Sequence, residues 1–289
     1  MKRILVTGKN SYIGKAFYDY ISQFKEYTVD SISVRDNGWK KEDFSSYNVV
    51  FHVAGIVHLN MKKVSDEQKK LYYKVNTDLT IFLAQKAKKE GVKQFIFMSS
   101  ASVYGDGAPI GKERVITKET QISPTNFYGD SKAKAENGLR KLEDNDFKVV
   151  ILRPPMIYGK GCKGNYLMLA KLAKKMPVFP KIKNSRSMCY IGNLVEFVKL
   201  MIENEERGIF WPCNNEISNT SELVKMIASV YGKKTLLIPG CSLVLKLLSC
   251  VSSSVNKAFG NFCYAPELSA YKTNYRKYGL EESIRITEK

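Results

Sequence analysis

Ile4-Leu5-Val6 is a short, wholly apolar run. The turn-like stretch Thr7 to Gly14 separates it from Ala16, Phe17, Tyr20 and Ile21, which recur at helical spacing. This is strand, turn, helix. The strand pattern returns near Val29 to Val34, Val49 to Val53, Phe95 to Met98 and Val149 to Leu152, with helical stretches between, notably Thr77 to Lys89 and Ser131 to Leu142. Strands that are apolar throughout and alternate with helices predict a doubly wound parallel α/β sheet covered on both faces.

After Gly159 the texture changes to glycine- and lysine-rich sequence, with Pro177 and Pro180 in an expected loop. Tyr190 to Asn214 again reads as helix then strand. The expected organisation is a first domain of residues 1–160 plus about 190–216, and a smaller substrate domain of about 161–189 plus 217–289. A chain of 289 residues has ample length for both cores.

Charge adds a question that the apolar pattern does not raise. Lys and Arg number 46 against 28 Asp and Glu, a formal net charge of +18, which fits nucleic acid, an anionic membrane or a polyanionic small substrate. The lysines fall as scattered pairs, such as Lys62-Lys63, Lys88-Lys89, Lys174-Lys175 and Lys233-Lys234, with no block of five or six. That spacing reads as a solvated basic surface and disfavours a nucleic-acid footprint.

The six cysteines show no Cys-x-x-Cys pair and no histidine at zinc-ligand spacing, so no metal is expected. The amino terminus enters a strand-like run at once, without a leader-like apolar stretch, and a reduced, cytoplasmic protein is the expectation. The apolar run Ser242 to Val251 is interrupted by Lys246 and is too short to span a bilayer. With its neighbours it makes Cys241 to Phe259 a candidate amphipathic surface helix, against the simpler reading of a core or dimer helix.

Candidate chemistry begins at Gly8-Lys9-Asn10-Ser11-Tyr12-Ile13-Gly14, directly after the first strand. Glycines there let backbone approach a pyrophosphate at the positive end of the following helix. Ser11 replaces the middle glycine of the usual pattern, so a plain strand-to-helix turn is an equal reading of this stretch alone. At the end of the second strand, Ser33 stands near the position of the ribose-binding acid and Arg35 is placed to meet a 2′-phosphate. These lean towards NADP over NAD, whereas Asp36 restores NAD if the strand ends later.

Tyr128 and Lys132 are four apart at the start of an expected helix and share one face. A neighbouring ammonium and a positively charged nicotinamide would both lower the tyrosine pKa from near 10, so that Tyr128 exchanges a hydroxyl proton while hydride moves. Phe95 to Met98 leads into Ser99-Ser100-Ala101-Ser102, where Ser100 would hold a substrate oxygen against Tyr128.

These motifs, with Phe51-His52-Val53-Ala54-Gly55, Asn76, Leu152 to Gly159 and Tyr190 to Leu194, resemble in order and spacing the NAD-dependent epimerase/dehydratase family of extended short-chain dehydrogenases/reductases, which act on nucleotide sugars. The resemblance implies a Rossmann-type domain and a catalytic Ser100, Tyr128 and Lys132, with Lys132 also on the nicotinamide ribose. It implies an NAD(P) site that includes Gly8, Asn10, Ser11, Tyr12, Ile13, Gly14, Val53, Ala54, Gly55, Asn76 and Pro155. Substrate contacts fall at Ser102, Asn165, Phe179, Arg186 and His58, with Arg186 clamping a phosphate. His52 reads as structural.

Family dehydratases carry an Asp-Glu pair just after the catalytic Ser or Thr. Here Ala101 and Ser102 stand there, which disfavours dehydration. Hydride transfer at a sugar carbon, expected to be C4 of a UDP-sugar, remains. Ser100-Ala101-Ser102 before Val-Tyr-Gly resembles C4 epimerases and gives that reading a slight lead. Ser33 and Arg35 favour an NADPH-dependent 4-keto-sugar reductase, and a catalytically silent NADP sensor is the reading of another class. A homodimer is consistent with the resemblance, nucleic acid is not expected, and membrane contact stays open as a minor alternative.

Overall fold

The computed structural model describes residues 1–57, 65–241, 245 and 253–289, and the chain divides into two compact units. The first comprises Met1–Gly105, Ile122–Pro154 and Val195–Trp211. The second comprises Asp106–Gln121, Pro155–Leu194 and Pro212–Lys289.

The first unit holds the expected doubly wound parallel sheet. Its six strands lie in the order β10 (Gly208–Phe210), β6 (Lys148–Leu152), β4 (Gln94–Met98), β3 (Val49–His52), β1 (Lys2–Thr7) and β2 (Tyr27–Ile32). β1 sits between β2 and β3, with Ile4 opposite Val29 on one side and Val49 on the other. Strand order reverses there, and the carboxyl edge beside such a switch is where open α/β sheets take ligands.

β3 and β4 are buried along their whole length, because helices cover both faces. Phe17 and Ile21 of α1 (Tyr12–Ile21) pack into the sheet, the Phe17 ring edge-on to Phe51 at 4.8 Å. Leu83, Ala84 and Ala87 of α3 (Leu79–Lys89) join Ala135 and Leu139 of α4 (Phe127–Arg140) against Leu5, Val50, Phe95, Phe97, Val149 and Ile151. α2 (Asp66–Tyr73) precedes α3 and is joined to it by a π-helical turn over Lys74–Asp78.

In the second unit the sheet pieces are two-stranded and parallel: β5 (Val115–Ile116) with β12 (Cys263–Tyr264), β7 (Met156–Tyr158) with β9 (Met188–Tyr190), and β8 (Val178–Pro180) with β11 (Leu236–Ile238). The expected loop at Pro177 to Pro180 is therefore a strand. Pro180 ends it, where its missing N–H costs no ladder bond. Helices α5 (Asn165–Lys175) and α7 (Thr220–Val230) pack in this unit, while α6 (Ile191–Glu203) and β10 return the chain to the first.

Lysine pairs do recur along the chain, but the compensating acids do not. The second unit carries 21 Lys and Arg against 9 Asp and Glu, a net of +12, and the first carries 25 against 19, a net of +6. No Asp or Glu occurs between Asp146 and Glu196 or between Glu222 and Glu267. Among the described residues, no helix is long and apolar enough to cross a membrane. The candidate surface helix at 241–259 lies largely outside the described residues, although Ser253–Phe259 is helical.

Candidate active site

Three features converge on the carboxyl edge of the first unit's sheet: the turn after β1, the turn after β3 and the serine loop after β4. In the first, Gly8 has φ +115°, and a side chain there would meet Ala54 N at 2.9 Å. A side chain at Gly14 would lie 2.7 Å from Ser11 Oγ and 2.9 Å from both Gly8 O and Val53 Cγ2. Both glycines are thus required by close backbone packing. Ser11 caps α1, its hydroxyl accepting the Gly14 N–H at 2.9 Å with φ −77°, a value any residue adopts. The serine in place of glycine turns its oxygen back into the helix.

β2 ends at Ile32, so Ser33 is the first residue beyond it, and the chain turns away two residues before the expected strand end. Arg35 is exposed, while the Asp36 carboxylate accepts the Gly38 N–H at 2.8 Å and stabilises the next turn.

The Ser100 hydroxyl is a near neighbour of the Tyr128 phenol and favours its charged form. It also accepts from Ser102 N at 3.1 Å and donates to Ser102 Oγ at 3.1 Å, so the loop caps itself and faces the tyrosine together. Asn126 caps α4 by accepting from Gly129 N at 2.9 Å, which starts the helix at Phe127 and puts Tyr128 in its first turn. Gly129 lets α4 press on the serine loop: a side chain there would meet Ser102 O at 2.3 Å.

Lys132 is 4% exposed. Its Nζ donates to Met98 O at 2.8 Å and lies 4.5 Å from the Phe97 ring centroid. Burial drives its pKa down to about 7, with Glu136 pulling the other way. Tyr128 keeps part of its surface exposed but is densely ringed, and burial pushes its pKa up to about 12 against the opposing Ser100 hydrogen bond. Desolvation opposes the charged form of both groups, so favouring the phenolate falls to the positive charge that a bound nicotinamide would add.

The π-helical turn explains Asn76, which is fully buried. Its Oδ1 accepts from Ile56 N at 2.8 Å, and its Nδ2 donates to Ile56 O at 3.0 Å and Ser131 Oγ at 3.2 Å. A side chain at Gly55 would sit 3.1 Å from Asn76 Oδ1 and 3.4 Å from Lys132 Nζ, so both groups approach that glycine. Asn76 makes its bonds to the turn after β3 and to Ser131, not to the lysine directly. Such π turns are frequent at functional sites.

His52 is buried between Thr7 and Thr80, with Nδ1 2.6 Å from Thr7 Oγ1 and Nε2 2.9 Å from Thr80 Oγ1. Thr80 gives its own hydrogen to Asn76 O at 2.9 Å, so the neutral ring donates from Nε2 and accepts at Nδ1. Burial, with a smaller push from Lys132, lowers its pKa to about 3.

Sequence reasoning missed Glu136, one turn beyond Lys132 on α4. It is 1% exposed, pairs with Arg153 and accepts from Ser99 Oγ. A carboxylate four residues after the lysine was the available signal.

In the second unit, Arg186 shares backbone bridges with Ser218 and Phe262, and its Nη1 donates to Gly260 O at 3.3 Å. It is half-buried, and among the described residues no carboxylate forms an ion pair with it. Asn165 is the first residue of α5, whereas Phe179 is 3% exposed and packs on Phe259 with 5.8 Å between ring centroids. Pro155 and Ser102 are partly exposed, and His58 lies outside the described residues.

A profile of the NAD-dependent epimerase/dehydratase family matches residues 4–210. The chain belongs to this family. The match takes in every element of the first unit, and makes the protein an NAD(P)-dependent enzyme of the extended short-chain dehydrogenase/reductase class. A UDP-glucose 4-epimerase of Vibrio cholerae is 33% identical over 261 residues, covering 82% of this chain and 78% of the relative. An N-acetyl-α-D-glucosaminyl-diphospho-ditrans,octacis-undecaprenol 4-epimerase of Escherichia coli O157:H7 is 33% identical over 171 residues, 57% of this chain and 50% of the relative. UDP-glucuronic acid 4-epimerase of Bacillus cereus, solved with NAD, shares the fold at TM-score 0.75 and 18% identity, covering 98% of this chain and 96% of that one. RMD of Pseudomonas aeruginosa, solved with NADPH, does so at 0.74 and 18%, covering 99% and 98%.

The family's cofactor fits the residues present. The side-chain-free turn at Gly8 and Gly14, opening onto the amino terminus of α1, suits a dinucleotide diphosphate. Gly55 keeps the turn after β3 free of a side chain that would crowd Asn76 and Lys132.

Proposed function

We propose that the protein is a nucleotide-sugar 4-epimerase acting on a UDP-sugar. The carrying observation is the buried Lys132, whose helix presents Tyr128 to the Ser100 hydroxyl at the carboxyl end of β4. In this reading Ser100 donates to the sugar C4 oxygen, and Tyr128 Oη takes or returns that oxygen's proton. Lys132 holds the nicotinamide ribose and supplies the positive charge that favours the phenolate. A bound nicotinamide dinucleotide supplies the hydride acceptor and donor.

Arg186 is the residue for the substrate diphosphate, since a half-buried guanidinium with no carboxylate ion pair among the described residues suits an anion. Ala101 is buried and Ser102 bonds Ser100, so the serine loop offers no carboxyl for dehydration. The names of the Vibrio cholerae and Escherichia coli relatives support a C4 epimerase, on a nucleotide sugar or on a lipid-linked sugar diphosphate.

Ser33 just beyond β2, with exposed Arg35 two residues on, favours a second reading: exchangeable NADPH and reduction of a 4-keto sugar. Purified protein incubated with UDP-hexoses separates the two. Interconversion of C4 epimers without added NADPH, lost in Tyr128→Phe by at least about 100-fold, is the expected result. NADPH oxidation with a UDP-4-keto sugar and no interconversion would replace the epimerase with the reductase. Equal, near-zero turnover by wild type and Tyr128→Phe across the panel would instead leave a cofactor-binding sensor.

A further inference from the structure

β8 and β11 place Val178 directly opposite Leu236, and Ile238 opposite Pro180. These apolar side chains face water: Leu236 is 66% exposed, Ile238 41% and Val178 40%. Lysines flank both strands. Lys175 closes α5 three residues before Val178, Lys181 follows β8, and Lys233 and Lys234 precede β11, all four exposed. Lys233 reaches across to the carbonyl of Lys174, which ties the two lysine-bearing segments together.

The sequence around both strands carries no acid, and the carboxylate that comes near in space, Glu288, is paired with Lys174 at 3.2 Å. β8 lies inside the acid-free stretch from Asp146 to Glu196, and β11 inside the one from Glu222 to Glu267. An exposed apolar strand pair flanked by lysines matches the boundary between acyl chains and anionic headgroups: the apolar side chains leave water while the ammonium groups stay at the charged surface. A protein partner of matching shape would bring carboxylates and a broad apolar face. This patch is small, which suits a fluid surface better than a rigid one.

We propose that the second unit docks on anionic lipid membranes through this patch, Val178, Leu236 and Ile238 entering the interface and Lys175, Lys181, Lys233 and Lys234 binding the headgroups. The docking is independent of the sugar chemistry, because no residue of the patch belongs to the catalytic or cofactor-binding machinery.

Flotation with vesicles tests it, comparing pure phosphatidylcholine with a mixture of one-third phosphatidylglycerol and two-thirds phosphatidylcholine. The wild type is expected to float only with the mixed vesicles. Lys175→Gln, Lys233→Gln and Lys234→Gln together should weaken binding roughly 100-fold, each lysine near an anionic surface contributing about fivefold. The charge-matched set Lys40→Gln, Lys41→Gln and Lys89→Gln, exposed on the first unit, should retain most of it. Leu236→Ser with Ile238→Ser should weaken it by about tenfold or more and abolish whatever persists at high salt.

No flotation of the wild type would overturn the proposal, as would equal loss in the two lysine sets, which would reduce the effect to net charge. Concentration-dependent dimerisation dispersed by Leu236→Ser would assign the patch to a second copy of the chain. Unchanged thermal melts and turnover in vesicle-free buffer verify that every variant is folded.

Discussion

Glu136 and Arg153 form a buried ion pair beside the serine loop, with Arg153 Nε 3.1 Å from Glu136 Oε1 and 3.2 Å from Oε2. Ser99 donates to the same carboxylate, Arg153 Nη1 donates to Tyr104 Oη at 2.7 Å, and Trp211 Nε1 reaches that oxygen at 2.7 Å. The Ala101 N–H, meanwhile, donates to Pro154 O at 2.9 Å. The loop carrying Ser100 is therefore anchored on both sides by groups that contact no reacting atom. Glu136 is a positioning residue for it, one helical turn from Lys132.

Removing one partner of such a pair leaves a buried charge uncompensated. Glu136→Ala should lower unfolding stability by about 3–5 kcal/mol, measured by urea denaturation. Glu136→Met with Arg153→Met should recover most of the loss while turnover stays low, since stability returns but the Ser99 anchor does not. A cost below about 1 kcal/mol for the single variant would mean that the pair does not hold the loop.

Lys132 sets the alkaline side of the stability profile. The unfolded chain keeps this proton up to about 10.5, whereas the folded protein releases it near 7. Between those values the unfolded state binds more protons, so stability rises with pH across that window, and the penalty is fully present below 7. Melting temperatures of the cofactor-free enzyme from pH 6 to pH 10 should show this rise. Lys132→Met should flatten it.

His52 acts at the acid end with the same sign. Unfolded, it takes a proton near 6.5, but in the fold it stays neutral down to about 3, so stability is lost as pH falls through that interval. His52→Asn should be less stable at pH 7, because Thr7 and Thr80 lose their partner, yet less sensitive to acid. A variant with unaltered acid sensitivity would show that other groups control acid unfolding.

Arg35 gives a cofactor test separable from the sugar reaction. Replacing it with Ser should raise the dissociation constant for NADPH by about tenfold, the weight of one lost charged hydrogen bond, and leave NADH nearly unaffected. Fluorescence titration of both nucleotides reads this directly. No change for either would assign Arg35 to the solvent, and an equal loss for both would assign it to the part of the nucleotide they share.

Much of the first unit was legible because its signals are local. All-apolar strands, a glycine turn after β1 and a Tyr-x-x-x-Lys pair each follow from short-range spacing, and their order pointed to the family. The Val178–Pro180 strand was hidden because its partner lies 58 residues away. Glu136 was overlooked because its partners, Ser99 and Arg153, come from other strands' ends.

The sequence by itself determined the alternation of strand and helix, the glycine turn and the identities of Ser100, Tyr128 and Lys132, since these depend on residue type and spacing along one segment. Only the tertiary structure decided how those groups are charged. Burial, which sums neighbours from several elements, pushes the tyrosine up to about 12 and the lysine down to about 7. It also bears on the charge: the excess of +18 is spread along the chain in scattered pairs, but folding gathers most of two acid-free stretches into one unit, with exposed lysines flanking an exposed apolar strand pair.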